Sequence, residues 1–413
     1  MKNQLVMLCM IALMLSSCSN NSDENYEEIA TYPFVEAEFG SSIDLENLAN
    51  YANQTIPSYI IKDNSLGNAI TDKGATLGRV LFYDKNLSSN NTISCASCHK
   101  QEFAFSDTNV ASTGVNGTTG RHSMRLINSR FASETKFFWD ERALNLETQT
   151  TMPIKDHGEM GFSGENGDEN FDALLTKLSA IGYYKELFKF VYGTEEITEA
   201  KIQNALAQFI RSIQSFDSKY DAGRALAAND GQPFTNFTAQ ENQGKNLFLS
   251  PPTFNANGVR ISGGLGCVGC HRAPEFDIDP NSLNNGIIGK ISGTGIDITN
   301  TRAPSLRDLI KVDGTQNGPM MHTGVITDLQ TAIGHYGTIN LAPGNTNLDP
   351  RLKPNGFGQQ LNLTATEVNA VIAFLKTLSG TDVYTNTKWS NPFNLKLPNK
   401  KIPLNAGFFI SIS

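Results

Sequence analysis

Apolar residues open this chain in one block and afterwards return only as short helical stripes. Leu5 to Leu15 read LVMLCMIALML behind Met1 and Lys2. That run is too short to span a bilayer as a stable helix and reads as the core of an export signal. It closes on Leu15-Ser16-Ser17-Cys18, small residues before a cysteine, the pattern of a bacterial lipoprotein signal; ordinary cleavage nearby is the competing reading. The next stretch, SNNSDENYEE, is polar and acidic and buries too little to fold, so it is expected to be a tether, with folded chain beginning between Phe34 and Tyr59.

Further along, Leu77 to Phe82 and Gln243 to Phe248 carry short helical patterns of similar type. Between Thr198 and Tyr220, residues Ile202, Ala205, Leu206, Phe209, Ile210 and Ile213 fall at helical spacing, with Thr198 as N-cap. Near the end, Thr364 and Glu367 fit a capping box ahead of Val368, Val371, Ile372, Phe374 and Leu375, and Gly380 stops the helix. The intervening segments are rich in Gly, Asn, Pro and Thr with little strand alternation. A mainly α fold with long loops is expected, and 413 residues suggest two or three folded units.

Cysteine spacing supplies the chemistry. Cys9 leaves with the signal and Cys18 takes lipid, which leaves CASCH at 95–99 and CVGCH at 267–271 and no pair for a disulfide. Two cysteines separated by two residues and followed by histidine fix a c-type haem: the thiols make two thioethers and the imidazole binds iron. A zinc site built from both pairs is the competing reading, although the pairs lie much farther apart than in zinc ribbons. The predicted architecture is two cytochrome c-like haem domains: 1–17 signal, 18–55 lipidated tether and N-terminal extension, 56–235 first haem domain, 236–385 second, and 386–413 a tail that packs on the first. The formal charge is −8, and removing residues 1–17, with one lysine and no acid, makes it −9. Nucleic acid is therefore a poor partner.

From about Leu66 to Gly380 the sequence resembles the bacterial di-haem cytochrome c peroxidases and the related di-haem enzyme that matures the quinone cofactor of methylamine dehydrogenase. Leu81-Phe82-Tyr83-Asp84, Phe138-Trp139-Asp140-Glu141-Arg142-Ala143 and Met320-Met321-His322-Thr323-Gly324 carry the resemblance. It implies two covalently bound c-type haems. The first, with Cys95, Cys98 and His99, would react with peroxide, and the second, with Cys267, Cys270 and His271, would transfer electrons.

Spacing from Trp139 places the family's glutamine and glutamate at Gln149 and Glu159. A carboxylate there would move the proton during peroxide cleavage; from composition alone Glu159 is a solvated loop acid. Trp139 resembles the tryptophan that conducts electrons between the haems, and is otherwise a core aromatic. Where the peroxidases commonly have a methionine as distal ligand of the second haem, the alignment here gives Tyr336, the residue type of the quinone-maturing relative, with His335 as runner-up. His322 and His157 are expected to be hydrogen-bonding residues. His122 could be a displaceable distal ligand of the first haem, but its register matches a position that is asparagine in calcium-binding members; Asn317 and Pro319 fall where the other calcium ligands would be. Arg302 and Arg307 would pair with propionates or form surface ion pairs.

The resemblance implies reduction of hydrogen peroxide to water, with electrons from a small donor such as a monohaem cytochrome c or a cupredoxin. Alternatives are a peroxide-dependent oxidase of a protein or aromatic substrate, and a di-haem electron carrier. The expected setting is the cell envelope, anchored through Cys18 and facing the periplasm, as a monomer or homodimer.

Overall fold

The computed structural model describes residues 31–394; the expected signal, Cys18, most of the tether and the tail beyond 394 lie outside them. Helices dominate, and strands are confined among the described residues to two antiparallel pairs.

Each half is organised around one helix crossing. In the first, α1 (Pro33–Phe39) precedes α2 (Asp72–Tyr83), which Thr71 caps by accepting from Gly74 N. Helix α3 (Cys95–Cys98) carries the first cysteine pair, and α4 (Leu146–Thr151), α5 (Phe171–Ser179) and α6 (Gly182–Tyr192) lead to α7 (Glu199–Ser212), capped by Thr198. Helices α2 and α7 cross at Gly78, where a Cβ would overlap the carbonyl oxygen of Ala205. The second half, reached through α8 (Lys219–Arg224), repeats this. Helix α9 (Ala239–Leu249) and, after α10 (Leu329–Gly337), helix α11 (Ala365–Lys376) both start on capping boxes, Thr238 with Glu241 and Thr364 with Glu367. They cross at Gly244, whose Cβ would overlap the Ala370 carbonyl. The similar patterns around Gly78 and Gly244 thus mark one packing solution used twice.

Two apolar cores result. Leu77, Leu81, Phe82, Leu206 and Phe209 belong to the first, and Tyr220, Phe248, Phe276, Val371 and Phe374 to the second. The changeover falls between Ile213 and Tyr220, earlier than the expected boundary at 235, because Tyr220 packs on Phe276 with ring centroids 5.0 Å apart. For the same reason the stripe from Thr198 to Tyr220 is not one helix. Ile213 turns extended, Asn128 clamps the backbone of Ser215 with bonds of 2.9 and 3.1 Å, and a new capping box at Ser218 starts α8.

After the second core, α12 (Asp382–Thr385) leads the chain back to the first, where Val383 and Trp389 are buried. Tyr83 donates to the Trp389 carbonyl at 2.6 Å and Arg79 to that of Ser390 at 2.6 Å. Val35 and Phe39 of the N-terminal extension join the same core. Among the described residues no helix is long and apolar enough to cross a membrane.

Candidate active site

One turn of helix presents Cys95 and Cys98 together, and burial pushes their thiols up to about 12 and about 11. The chain then reverses through Ala104 and Phe105, both at positive φ, and this brings the Phe105 carbonyl back to His99 Nδ1 at 3.1 Å. Burial lowers the His99 imidazole below its usual value. With Nδ1–H donating to that carbonyl, Nε2 keeps its lone pair, the arrangement a metal-ligating histidine requires.

His99 lines a cavity of about 700 Å³ together with Arg125, Trp139, Arg142, Gln149 and Glu159. A smaller space of about 80 Å³ beside Cys95 and Cys98 shares His99, Gln149, Pro153 and Glu159 with it. Buried thiols, a neutral imidazole with a free nitrogen and a roomy, partly apolar cavity suit a covalently held porphyrin. The two cysteine pairs pack in different cores, so they do not converge on one zinc ion.

Glu159 reaches the cavity from a loop held on both sides. Its backbone N–H donates to Asp156 Oδ1 at 3.0 Å, and its carbonyl accepts from Val115 N at 3.0 Å. Gly114 permits the approach, since a Cβ there would overlap the Gly158 carbonyl. Burial, reinforced by Asp156 and opposed by Arg142, pushes the Glu159 carboxyl up to about 7, so both protonation states are accessible near neutrality. Gln149 stands on α4, which Asn145 caps at 2.8 Å. His157 turns from the cavity to Asp168, 2.9 Å away.

Trp139 stands at the junction of the halves. Phe138 and Glu141, both at positive φ, fold its segment into a tight turn. The indole N–H donates to the His122 carbonyl at 2.7 Å, the ring lies 6.2 Å from that of His322, and the Trp139 carbonyl accepts from Thr301 N at 2.8 Å and Arg302 N at 3.1 Å. His322 itself bonds the Gly289 carbonyl at 2.9 Å.

In the second half, Gly266 at positive φ turns the chain into Cys267 and Cys270. His271 follows in a short strand, His271–Arg272, paired antiparallel with Asp277–Ile278. Burial, with the charge of Arg351, brings its imidazole down to about 4, and its Nδ1 is buried without a hydrogen-bond partner, an atom that calls for a ligand or water. Tyr336 projects from α10 into the same region. Burial first, and the neighbouring Cys270 and Cys267, raise its phenol, whose oxygen lies 3.3 Å from Asn285 Nδ2. His335 is turned to the Asn285 carbonyl at 2.9 Å.

Of the two arginines expected at propionates, Arg302 lines the cavity, donating to the carbonyls of Glu134 and Lys136 and lying over Phe137. Arg307 does not serve this role: it is fully buried in a two-pronged ion pair with Asp221, both bonds 2.9 Å. For calcium the donor set is incomplete. The Asn317 amide nitrogen is spent on Asp308 and Tyr384, its Oδ1 lacks a partner, and His122 offers imidazole nitrogens that already face Asn109 and Ser106. Calcium prefers oxygen donors.

Residues 72–229 match the family described as di-haem cytochrome c peroxidase. The chain is 28% identical to the methylamine utilization protein MauG of Methylophilus methylotrophus over 324 residues, 76% of this chain and 85% of that one. Identity to the cytochrome c551 peroxidase of Nitrosomonas europaea is 28% over 321 residues, 74% and 80% of the two chains. Over these spans the chain is similar to the di-haem cytochrome c peroxidase family. It is an oxidoreductase of the cytochrome c peroxidase type, and the family implies two haems, a peroxide substrate and an electron donor. A MauG-like protein associated with microbial copper homeostasis shares the fold, with a TM-score of 0.63, 27% identity and coverage of 83% of this chain and 99% of that one.

The structure gathers His99 with Gln149 and Glu159, fifty and sixty residues further along the sequence, around one cavity. Sequence reasoning missed three residues. Arg125 lines that cavity, Asn285 bonds Tyr336, and Met321 places its sulfur 3.2 Å from the Asn285 amide. Met321 sat inside a motif already singled out; nothing local marked Arg125 or Asn285.

Proposed function

We propose that this enzyme reduces hydrogen peroxide to two molecules of water at the first site, consuming two protons and two electrons delivered by an external donor through the second site. The observation that carries this reading is the Glu159 carboxyl, pushed up to about 7 and lining the same cavity as His99. A haem held by Cys95, Cys98 and His99 supplies the redox-active iron at which peroxide is reduced. The protein supplies the proton handling. Glu159 accepts a proton from one peroxide oxygen and returns it to the other as water leaves. Gln149, beside it, offers an amide that donates to and orients the peroxide.

Burial lowers the His99 imidazole below its usual value, while the Phe105 carbonyl, accepting from Nδ1–H, works in the opposite direction and fixes the ring. Trp139, bonded to both halves, is the aromatic bridge for electrons between the sites, and Arg302 is a propionate partner. Tyr336 would be the phenolate residue holding the second haem together with Cys267, Cys270 and His271, a role supported by its position beside Cys267 and Cys270 and by His335 being turned to a carbonyl. An anionic oxygen ligand lowers haem potential, and this favours a second reading: oxidation of a protein or aromatic substrate by stored oxidising equivalents. The donor in this reading is a small cytochrome c or cupredoxin, and the pattern of residues 1–18 supports a setting in the cell envelope as a Cys18-anchored lipoprotein.

Paramagnetic resonance and visible spectra of the ferric holoprotein test the reading, taken before and after one equivalent of peroxide in wild type and Glu159→Gln. A high-spin signal converted quickly in wild type and slowly in the variant supports it. Two low-spin signals indifferent to peroxide, in oxidised and half-reduced protein alike, would make the protein an electron carrier.

A further inference from the structure

Three arginines besides Arg125 line the large cavity, and the fold has given a partner to each of them, as it has to Arg307 outside that lining. Arg121 is paired with Asp140 and Asp297 at 2.6 and 2.8 Å, and Arg142 with Asp140 at 2.8 Å. Arg302 donates to two carbonyls, and Arg307 is locked to Asp221. Arg125 alone among these combines the lack of an ion pair with an unpartnered Nε: Arg302, also without a carboxylate, bonds two carbonyls, and Arg307, whose Nε is likewise unpartnered, has Asp221. Only 8% of its surface is exposed, its Nη2 donates to the Ser305 carbonyl at 3.1 Å, and its Nε is buried with no partner. No carboxylate among the described residues forms an ion pair with it; Asp308, the acid whose field it feels most, keeps its own Oδ2 unpartnered.

A guanidinium does not shed its proton in a protein. A buried cation with an empty donor is therefore costly until an anion meets it. Burial already brings Arg125 down to about 10, a measure of how poorly the protein alone compensates it. The cavity it lines is the one bordered by His99, and a haem seated there brings two propionate carboxylates.

We propose that Arg125 is the ion-pair anchor of a propionate of the first haem. The planar fork of the side chain matches a carboxylate in two places. Because its Nη2 is held by Ser305 in the second half, the anchored propionate also ties the first haem to the junction between the halves. This assignment rests on reading the cavity as the seat of the first haem.

The test uses the holoprotein carrying both haems, with Arg125→Gln, Arg125→Met and Arg125→Lys. Resonance Raman spectra follow the propionate bending bands, and spectroelectrochemistry follows the midpoint potentials against pH. In the Gln and Met variants one propionate band of the first haem shifts, and its potential falls, because a fixed positive charge that opposed the ferric state has gone. That potential also declines further as pH rises, since the unpaired propionate now titrates. Arg125→Lys, keeping the charge, lies between. Bands and potentials identical to wild type in Arg125→Gln would overturn the proposal. Should the neutral variants not fold, wild type decides: a first-haem propionate still ionised well below the usual carboxylate range supports the anchor, and two ordinary titrations overturn it. A wild-type peptide with free thiols at Cys95 and Cys98 would fail differently, removing the haem reading itself.

Discussion

Trp139 and His122 are joined by a 2.7 Å hydrogen bond from the indole N–H to the backbone carbonyl, and the N–H of His122 donates in turn to the His322 carbonyl at 2.8 Å. One aromatic side chain is thereby fixed against both halves. Replacing Trp139 with Phe keeps an aromatic ring but removes the bond. Turnover with peroxide is expected to fall about tenfold, a barrier change of about 1.4 kcal/mol, with stability lowered by about 1 kcal/mol. Stopped-flow kinetics would show the slowed exchange of electrons between the haems, and thermal unfolding the stability; full turnover in the variant would remove Trp139 from the route.

The carboxyl of Glu159 predicts a pH limb of definite sign. Burial raises it to about 7, so below that pH it is protonated and cannot accept the peroxide proton. The rate is expected to rise with pH through about 7 and then level. Glu159→Gln should lower it by about 10²–10⁴ and abolish the limb. Arg142 opposes the rise, so Arg142→Met should move the limb to higher pH. A pH profile of kcat/KM checks all three, and an unmoved limb in Arg142→Met would count against the assignment.

Gly114 controls where Glu159 sits without touching the reaction. A methyl there would overlap the Gly158 carbonyl and crowd the backbone of Glu159. Gly114→Ala is expected to cost about 1–3 kcal/mol of stability. It should also reduce the peroxide rate at least tenfold at a temperature where the variant remains folded. Loss of stability with unchanged rate would mean that the loop relaxes without moving the carboxyl.

At the second site, Tyr336 and His335 make opposite predictions. Tyr336→Phe should change the visible spectrum of the ferric second haem and raise its potential, since the anionic oxygen donor is lost. His335→Gln should leave both alone, because that imidazole faces the Asn285 carbonyl at 2.9 Å. Reversed results would transfer the ligand role to His335. A spectrum changed only when Met321 is replaced would give it to the sulfur that shares Asn285 with Tyr336.

The helices were legible because their signals are local. The stripe of Val371, Phe374 and Leu375 behind the Thr364–Glu367 box became α11, and the glycine-centred patterns at Gly78 and Gly244 became the two crossing helices. The stripe that ran to Tyr220 misled, because spacing continued where the backbone did not: Asn128, nearly ninety residues away, holds the chain extended at Ser215.

By itself, the sequence determined what short-range chemistry dictates: two haem-attachment motifs whose spacing is set by thioether geometry, capped amphipathic helices, and a family pattern pointing to Trp139, Gln149 and Glu159. Only the tertiary structure decided which charges are left unpaired and which side chains share a space. Arg307 spends its charge on Asp221 while Arg125 has no carboxylate partner among the described residues, and Asn285 meets both Met321 and Tyr336. Those outcomes depend on desolvation and on partners tens of residues distant, and neither is written in the spacing of neighbouring residues along the chain.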